Sequence, residues 1–101
     1  MIAPASADVI ARLAAGLADD LLATIALATK APLLLAPAMN VNMWGHPQTQ
    51  ENVAKLASRG AIVVGPDSGD LACGWVGAGR MSEPPEIFAA IEAALGARPR
   101  D

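Results

Sequence analysis

Leu33-Leu34-Leu35-Ala36 is an unbroken apolar run that lies between Pro32 and Pro37. A short run that is apolar at every position is typical of a parallel strand buried on both faces. Ala61-Ile62-Val63-Val64 is a second run of this kind, and Met1-Ile2-Ala3-Pro4 reads as the end of a third strand. The sequence therefore predicts three strands.

Helical patterns separate these strands and follow the last one. The predicted helices begin behind Ser6, at Asp19 and Asp20, at Pro47, and at Pro84 or Pro85 behind a Ser82 cap. The first three end at Gly16, at about Lys30 and at Gly60. Capping side chains, prolines in the first turn and terminal glycines are usual helix boundaries. Strands that alternate with helices predict crossover connections and a parallel sheet, so the fold class is α/β.

Composition restricts the class of protein. The chain has 101 residues, a net charge of −3, 53% hydrophobic residues and a mean hydropathy of +0.38. A chain this short has a limited core, so we expect an apolar face that a partner subunit or further chain covers. The sequence has no cluster of Lys and Arg, which argues against nucleic-acid binding. Its apolar stretches are too short to span a bilayer.

The single cysteine, Cys73, excludes an intramolecular disulfide and fits a reducing compartment. The N-terminus has no basic leader, so we expect a cytoplasmic protein. One histidine and one cysteine without ligand spacing do not make a metal site, and none is predicted.

Three segments follow the predicted strands: Pro4-Ala5-Ser6, residues 37–45 and residues 65–81. The unusual residues of the chain lie in these segments. In parallel sheets, ligands bind outside the carboxyl ends of the strands. The three segments therefore predict a binding site.

The second segment contains Pro37-Ala38-Met39-Asn40-Val41-Asn42-Met43-Trp44. The amide of Asn40 or Asn42 can bind a carboxylate without adding charge, beside an apolar wall of methionine and tryptophan. Alternatively, the asparagines serve a turn and the large side chains belong to the core. The whole octet favours binding, because so many large side chains rarely share a loop.

The third segment contains Leu71-Ala72-Cys73-Gly74-Trp75-Val76-Gly77-Ala78-Gly79-Arg80-Met81. Its glycines permit close approach to a ligand, and Arg80 can hold a carboxylate or phosphate. This pattern predicts a flexible, glycine-rich flap that carries one reactive thiol and one anion anchor. The alternative is a plain turn in which Cys73 is a small apolar filler.

Two further residues are ambiguous. Ser6 could face a polar cofactor edge or a phosphate, or it could only cap a helix. His46 could be a general base, but it precedes Pro47 at a helix start, where a surface position is at least as plausible.

These motifs resemble those of the flavin-containing cysteine decarboxylases. Residues 37–44 are similar to their PxMNxxMW motif, and residues 72–81 are similar to their substrate-recognition clamp, ACGxxGxGRM. Pro4-Ala5-Ser6-Ala7-Asp8 resembles the segment that lies against the flavin. The resemblance covers essentially the whole chain. It is strongest to the branch that decarboxylates 4′-phosphopantothenoylcysteine to 4′-phosphopantetheine in coenzyme A biosynthesis.

The resemblance implies a flavodoxin-like, Rossmann-like fold with a three-layer arrangement, a parallel sheet with helices on both faces. This chain would carry only its C-terminal half, as residues 1–95, with residues 96–101 as a linker or tail. The family's catalytic histidine and flavin-phosphate loop have no counterpart in the chain, so we expect the chain alone to be inactive or marginally active, while a longer parent protein decarboxylates. The resemblance also implies FMN at a subunit interface and a homo-oligomer, either a trimer or a dodecamer of trimers.

Residue roles are carried over by the same resemblance. Asn40 would hold the substrate carboxylate, and Cys73 would supply the proton that completes reduction of the enethiol. The residues placed against FMN are Pro4, Ala5 and Ser6. Those placed against the substrate are Ala38, Met39, Asn40, Ala72, Gly74, Gly77, Gly79 and Arg80.

Three alternatives stay open. A flavin-fold regulatory subunit would not need Asn40 and Cys73. A peptidyl-cysteine decarboxylase would act on a C-terminal cysteine, although the ACGxxGxGRM form fits the pantothenoyl substrate better. A purely structural α/β fragment would be indifferent to substitution of either residue.

Overall fold

The computed structural model describes residues 1–70 and 76–96. The strands in this part of the chain are β1 (Ile2–Ala5), β2 (Leu34–Pro37), β3 (Ile62–Val63), β4 (Asp67–Asp70) and β5 (Val76–Arg80). The helices are α1 (Ala7–Ala15), α2 (Leu21–Ala28), α3 (Val41–Trp44), α4 (Pro47–Ser58) and α5 (Pro84–Gly96).

The three predicted strands form one parallel sheet in the order β1-β2-β3. Ala5 pairs with Pro37 in the register of the first two strands, and Leu35 pairs with Val63 in the second pair. The carboxyl ends of all three strands therefore lie at one edge of the sheet. The α/β prediction is confirmed.

Helices cover both faces of the sheet. Leu35 is 1% exposed and belongs to the core cluster with Ile10 of α1 and Leu56 of α4. Successive strand residues point to opposite faces, and Leu34 shares a cavity of about 150 Å³ with Ile91 of α5. The predicted helix–sheet–helix layering is thus present within the described residues.

The helix starts follow the capping residues in the sequence. Ser6 Oγ accepts a hydrogen bond from the Val9 N–H at 3.1 Å at the start of α1, and Asp20 Oδ1 accepts one from the Ala23 N–H at 2.7 Å at the start of α2. Side-chain acceptors of this kind satisfy donors that the first helical turn leaves unpaired. At the end of α1, Gly16 adopts a φ of 74°, the left-handed conformation of a glycine cap.

Arg12 ties α1 to the turn before α2. Its guanidinium contacts Asp8 at 2.9 Å, Asp19 at 2.8 Å and Asp20 at 3.2 Å. The negative charge of Asp19, and after it that of Asp8, raises the pKa of Arg12 above its ordinary value.

The prediction of a continuous loop at residues 37–45 is wrong. Residues Val41–Trp44 form the short helix α3. It begins at Asn40, whose Oδ1 accepts a hydrogen bond from the Asn42 N–H at 2.7 Å. A single turn held by one cap has too few residues to show helical periodicity in the sequence.

The prediction of a glycine-rich loop at residues 65–81 is also wrong in part. Strands β4 and β5 pair antiparallel as a two-stranded ribbon, with Asp67 opposite Arg80 and Gly69 opposite Gly77. Glycine is rare in strands, so composition indicated a loop where backbone pairing makes a ribbon.

Ser82 does not cap α5 as predicted. Its side chain is fully buried, and its hydroxyl donates to Asp67 Oδ1 at 3.3 Å. Helix α5 begins at Pro84, which places Glu83 at the capping position instead.

Helix α2 confirms the expected apolar face. It has no charged residue, and its large side chains are exposed in this chain: Leu21 by 76%, Leu22 by 43%, Ile25 by 55% and Leu27 by 60%. A helix that is apolar all round is normally covered by other protein. None of the described helices is both long and apolar enough to cross a membrane.

Candidate functional site

Two consecutive backbone amides join the three strand-following segments. The Ala38 N–H donates to the Ala5 carbonyl oxygen at 3.1 Å, and the Met39 N–H donates to the Gly79 carbonyl oxygen at 2.8 Å. Ala38 and Met39 therefore connect the end of β1 to the end of β5. The predicted convergence of the segments at the carboxyl edge of the sheet is present in the structure.

Gly79 is required at its position by geometry. Its φ is 127°, and a Cβ built on it would collide with the carbonyl oxygen of Met39. L residues rarely adopt this backbone conformation, and there is no space for a side chain. The absence of a side chain is what lets the ribbon approach the second segment.

Asn40 lies next to this junction and is half-buried. Because its Oδ1 accepts the Asn42 N–H, the orientation of its amide is set by the backbone. The Nδ2 hydrogens are the donors with which Asn40 would bind a carboxylate.

The first segment combines an apolar floor with one hydroxyl. Ala5 is fully buried, whereas Pro4 and Ser6 are exposed. Ser6 Oγ accepts the Val9 N–H, and a hydroxyl that accepts one bond still has its own hydrogen to donate. The cap and a ligand contact are therefore compatible roles for Ser6.

Arg80 ends β5 immediately after the Gly79 junction. Its Nη1 donates to Glu83 Oε1 at 2.6 Å. Its Nε is buried and has no hydrogen-bond partner in the structure as described. An unpaired buried donor is unusual in native proteins and indicates a site for a partner.

His46 caps a helix. Its Nδ1 accepts the Gln48 N–H at 3.0 Å at the start of α4, and the side chain is exposed. The structure thus supports the surface interpretation of His46 and gives no support for a general base.

Four further residues were predicted to belong to the site: Ala72, Cys73, Gly74 and Gly77. Cys73, Ala72 and Gly74 lie outside the described residues. Gly77 lies in the ribbon, where its backbone pairs with Gly69 rather than with the second segment.

Sequence reasoning missed Glu83 and the pair formed by Asp67 and Ser82. Arg80 and Glu83 carry opposite charges three residues apart, a spacing that on a helix predicts contact. Arg80 ends a strand and Glu83 precedes a helix, so the rule for helical spacing does not apply to this pair. No signal in the sequence indicated the contact between Asp67 and Ser82.

A cavity of about 410 Å³ lies far from the junction. It is lined by residues before β2 and β3, including Lys30, Pro32, Arg59 and Gly60. It therefore lies at the amino ends of these strands, and we assign it no part in the site.

Comparison with known proteins gives a consistent result. The Flavoprotein family model matches residues 1–96. The coenzyme A biosynthesis bifunctional protein CoaBC of Haemophilus influenzae is 59% identical to this chain over 91 residues, which are 90% of this chain and 23% of that protein.

Two solved structures share the fold. A PPC decarboxylase mutant complexed with pantothenoylaminoethenethiol gives a TM-score of 0.90 at 37% identity, over 95% of this chain and 54% of that one. The FMN binding protein AtHal3 gives 0.85 at 37% identity, over 98% of this chain and 55% of that one. These likenesses confirm the predicted flavodoxin-like fold. The chain spans about half the length of the two solved proteins and 23% of the curated relative.

Proposed function

Because the chain belongs to the Flavoprotein family, we propose that it is part of a cytoplasmic, FMN-dependent decarboxylase that converts 4′-phosphopantothenoylcysteine to 4′-phosphopantetheine in coenzyme A biosynthesis. The observation that carries the proposal is the junction at Ala38 and Met39, which holds Ser6, Asn40 and Arg80 around one edge of the sheet. The relatives support its parts: the curated protein supports the pathway, and the solved proteins support the substrate and FMN.

The first segment fits a flavin. The exposed ring of Pro4 beside buried Ala5 offers an apolar surface to a planar ring, and the Ser6 hydroxyl offers a donor to its polar edge. When bound, FMN would supply two-electron chemistry: it would take up two electrons from the cysteine end of the substrate and return them after CO2 has left, which gives the thiol product.

The protein's own residues would bind the substrate and handle one proton. Asn40 would hold the carboxylate with neutral donors, which do not oppose its departure as CO2. Arg80 would bind an anionic group of the substrate. Cys73 is proposed as the proton donor that completes reduction of the enethiol, since a thiol and an enethiol have similar acidity. The β4–β5 ribbon would exclude water from this chemistry.

The test uses the protein as its gene encodes it, here called the intact protein. After gel filtration we expect the intact protein to keep a flavin absorption band, with a fixed molar ratio of flavin to protein. With 4′-phosphopantothenoylcysteine we expect release of CO2 and of a thiol product, at a higher kcat/KM than with a peptide that ends in cysteine.

The other outcomes separate the alternatives. Flavin retention without decarboxylation of either compound would indicate a regulatory subunit. A higher kcat/KM for the peptide would indicate a peptidyl-cysteine decarboxylase. Failure to retain flavin and to release CO2 would overturn the proposal.

We also propose that the protein is a homo-oligomer, a trimer by the family resemblance. The exposed face of α2 supports this proposal. It includes Leu21 and Ile25, and the helix contains no charged residue. A face without charge can be buried against another copy of the chain without leaving an unpaired charge in the interface, which is the main cost of a polar interface.

Replacing Ile25 with aspartate is expected to lower the molar mass of the intact protein in light scattering, because a carboxylate would be buried against apolar surface. The matched control is Ala54→Asp, which adds the same charge to an exposed position of α4. A parent protein with the mass of a monomer, or an Ile25 variant with unchanged mass, would contradict this use of α2.

A further inference from the structure

The backbone of Arg80 is fixed by its neighbour. The Gly79 carbonyl oxygen accepts the Met39 N–H at 2.8 Å, and Gly79 is buried against the second segment. Arg80 thus begins one residue from the junction that also positions Asn40. Its side chain starts from a well-defined point at the edge of the site.

The direction of the Arg80 side chain is set by Glu83. The Glu83 carboxylate accepts from Nη1 at 2.6 Å, a short charge-assisted contact. Glu83 is itself held at the start of α5, because its carbonyl oxygen accepts the N–H groups of Glu86 at 3.0 Å and of Ile87 at 3.2 Å.

This ion pair is not placed where it would contribute much stability. The side chains of Arg80 and Glu83 are 38% and 57% exposed, and exposed pairs of this kind contribute little. A positional role explains the contact better than a stabilising one.

The remaining edge of the guanidinium is the part that a ligand would use. With Nη1 held by Glu83, the Nε–H and an Nη2–H form the parallel fork that matches two oxygens of a carboxylate or phosphate. Nε is buried and lacks a hydrogen-bond partner in the described structure, while the side chain as a whole is partly open to solvent. An anion that enters by the open end would pair with Nε out of contact with water, where such a bond is strong.

We propose that Glu83 is a positioning residue that holds Arg80 by Nη1 and so presents its Nε edge to an anionic oxygen group of the substrate. This inference rests on the proposed function. The anionic group is the carboxylate or the phosphate of 4′-phosphopantothenoylcysteine.

The test is steady-state kinetics of the intact, flavin-loaded protein. Glu83→Ala is expected to raise KM roughly tenfold, with kcat within about twofold, because one charged hydrogen bond no longer orients the arginine. Glu83→Gln is expected to recover part of the loss, since its amide oxygen can still accept from Nη1. The matched control, Glu86→Ala, removes an exposed carboxylate from the same helical turn and should leave KM unchanged.

Two comparisons make the role specific. If Glu83 acts through Arg80, the double variant Arg80→Ala/Glu83→Ala will have the KM of Arg80→Ala alone. If Glu83→Ala raises KM only for 4′-phosphopantothenoylcysteine, the group that Arg80 binds is the phosphate. If it raises KM equally for unphosphorylated pantothenoylcysteine, that group is the carboxylate.

The inference is overturned if Glu83→Ala leaves KM unchanged or if the two substitutions are additive. It is also overturned if kcat and thermal stability fall together while KM does not change. A parent protein that decarboxylates neither substrate would instead overturn the proposed function, and the inference with it.

Discussion

Replacing Asn40 with aspartate is expected to lower kcat/KM for 4′-phosphopantothenoylcysteine by about 10²- to 10³-fold, the usual effect of removing one donor from a reacting charged group. The change is a narrow one. Aspartate can accept the Asn42 N–H as asparagine does, since both are good capping residues. Helix α3 should therefore keep its start while Nδ2 becomes a negatively charged oxygen.

The control for Asn40→Asp is Asn42→Asp. It makes the same change two residues away on an exposed side chain of α3, so it adds the same charge to the same helix. We expect the control to keep kcat/KM within a few-fold of the parent protein. Equal kcat/KM values for the two variants would remove Asn40 from carboxylate binding.

Replacing Gly79 with alanine is expected to lower the free energy of unfolding by about 3 kcal/mol, roughly 1–2 for the positive φ and roughly 1–2 for the displaced contact with Met39. Decarboxylation should fall as well, because the ribbon can no longer reach the second segment. Urea unfolding of the intact protein measures the first effect and CO2 release the second.

Gly60→Ala is the matched control for Gly79→Ala. Gly60 also has a positive φ, of 97°, but nothing lies within 4 Å of a Cβ built there. Gly60→Ala should lower the free energy of unfolding only by the contribution of the positive φ, about 1–2 kcal/mol, and should leave turnover unchanged. If the two alanine variants lose the same free energy of unfolding and both keep their turnover, the close approach of Gly79 to Met39 is not needed for the site.

Local chemistry explains which parts of the fold could be predicted. The run at residues 33–36 predicts β2 because every side chain in it is apolar, and Ser6, Asp20 and Pro47 predict helix starts because each satisfies a local backbone requirement. The β4–β5 ribbon depends instead on pairing between two glycine-containing segments. Such pairing is a tertiary property that neither segment shows alone.

The same division applies to the site. The position of the three segments follows from the rule that parallel strands end at one edge, so Ser6, Asn40 and Arg80 could be placed together from the sequence. The connection between these residues could not be predicted from the sequence. It is made by backbone N–H groups, which every residue except proline has. The contact between Arg80 and Glu83 could not be predicted, because Arg80 ends a strand and Glu83 precedes the next helix.

The consecutive amides of Ala38 and Met39 have a consequence for energetic coupling. One bonds to Ala5 beside the proposed flavin position, and the other bonds to Gly79 beside the proposed substrate position. Only one Cα atom, that of Ala38, lies between the two N–H groups, so a displacement of one hydrogen-bond partner is passed to the other over a single residue. If one ligand favours a particular placement of Ala38 and Met39, the second ligand gains or loses the same free energy. The two binding equilibria are then thermodynamically linked through two residues of backbone.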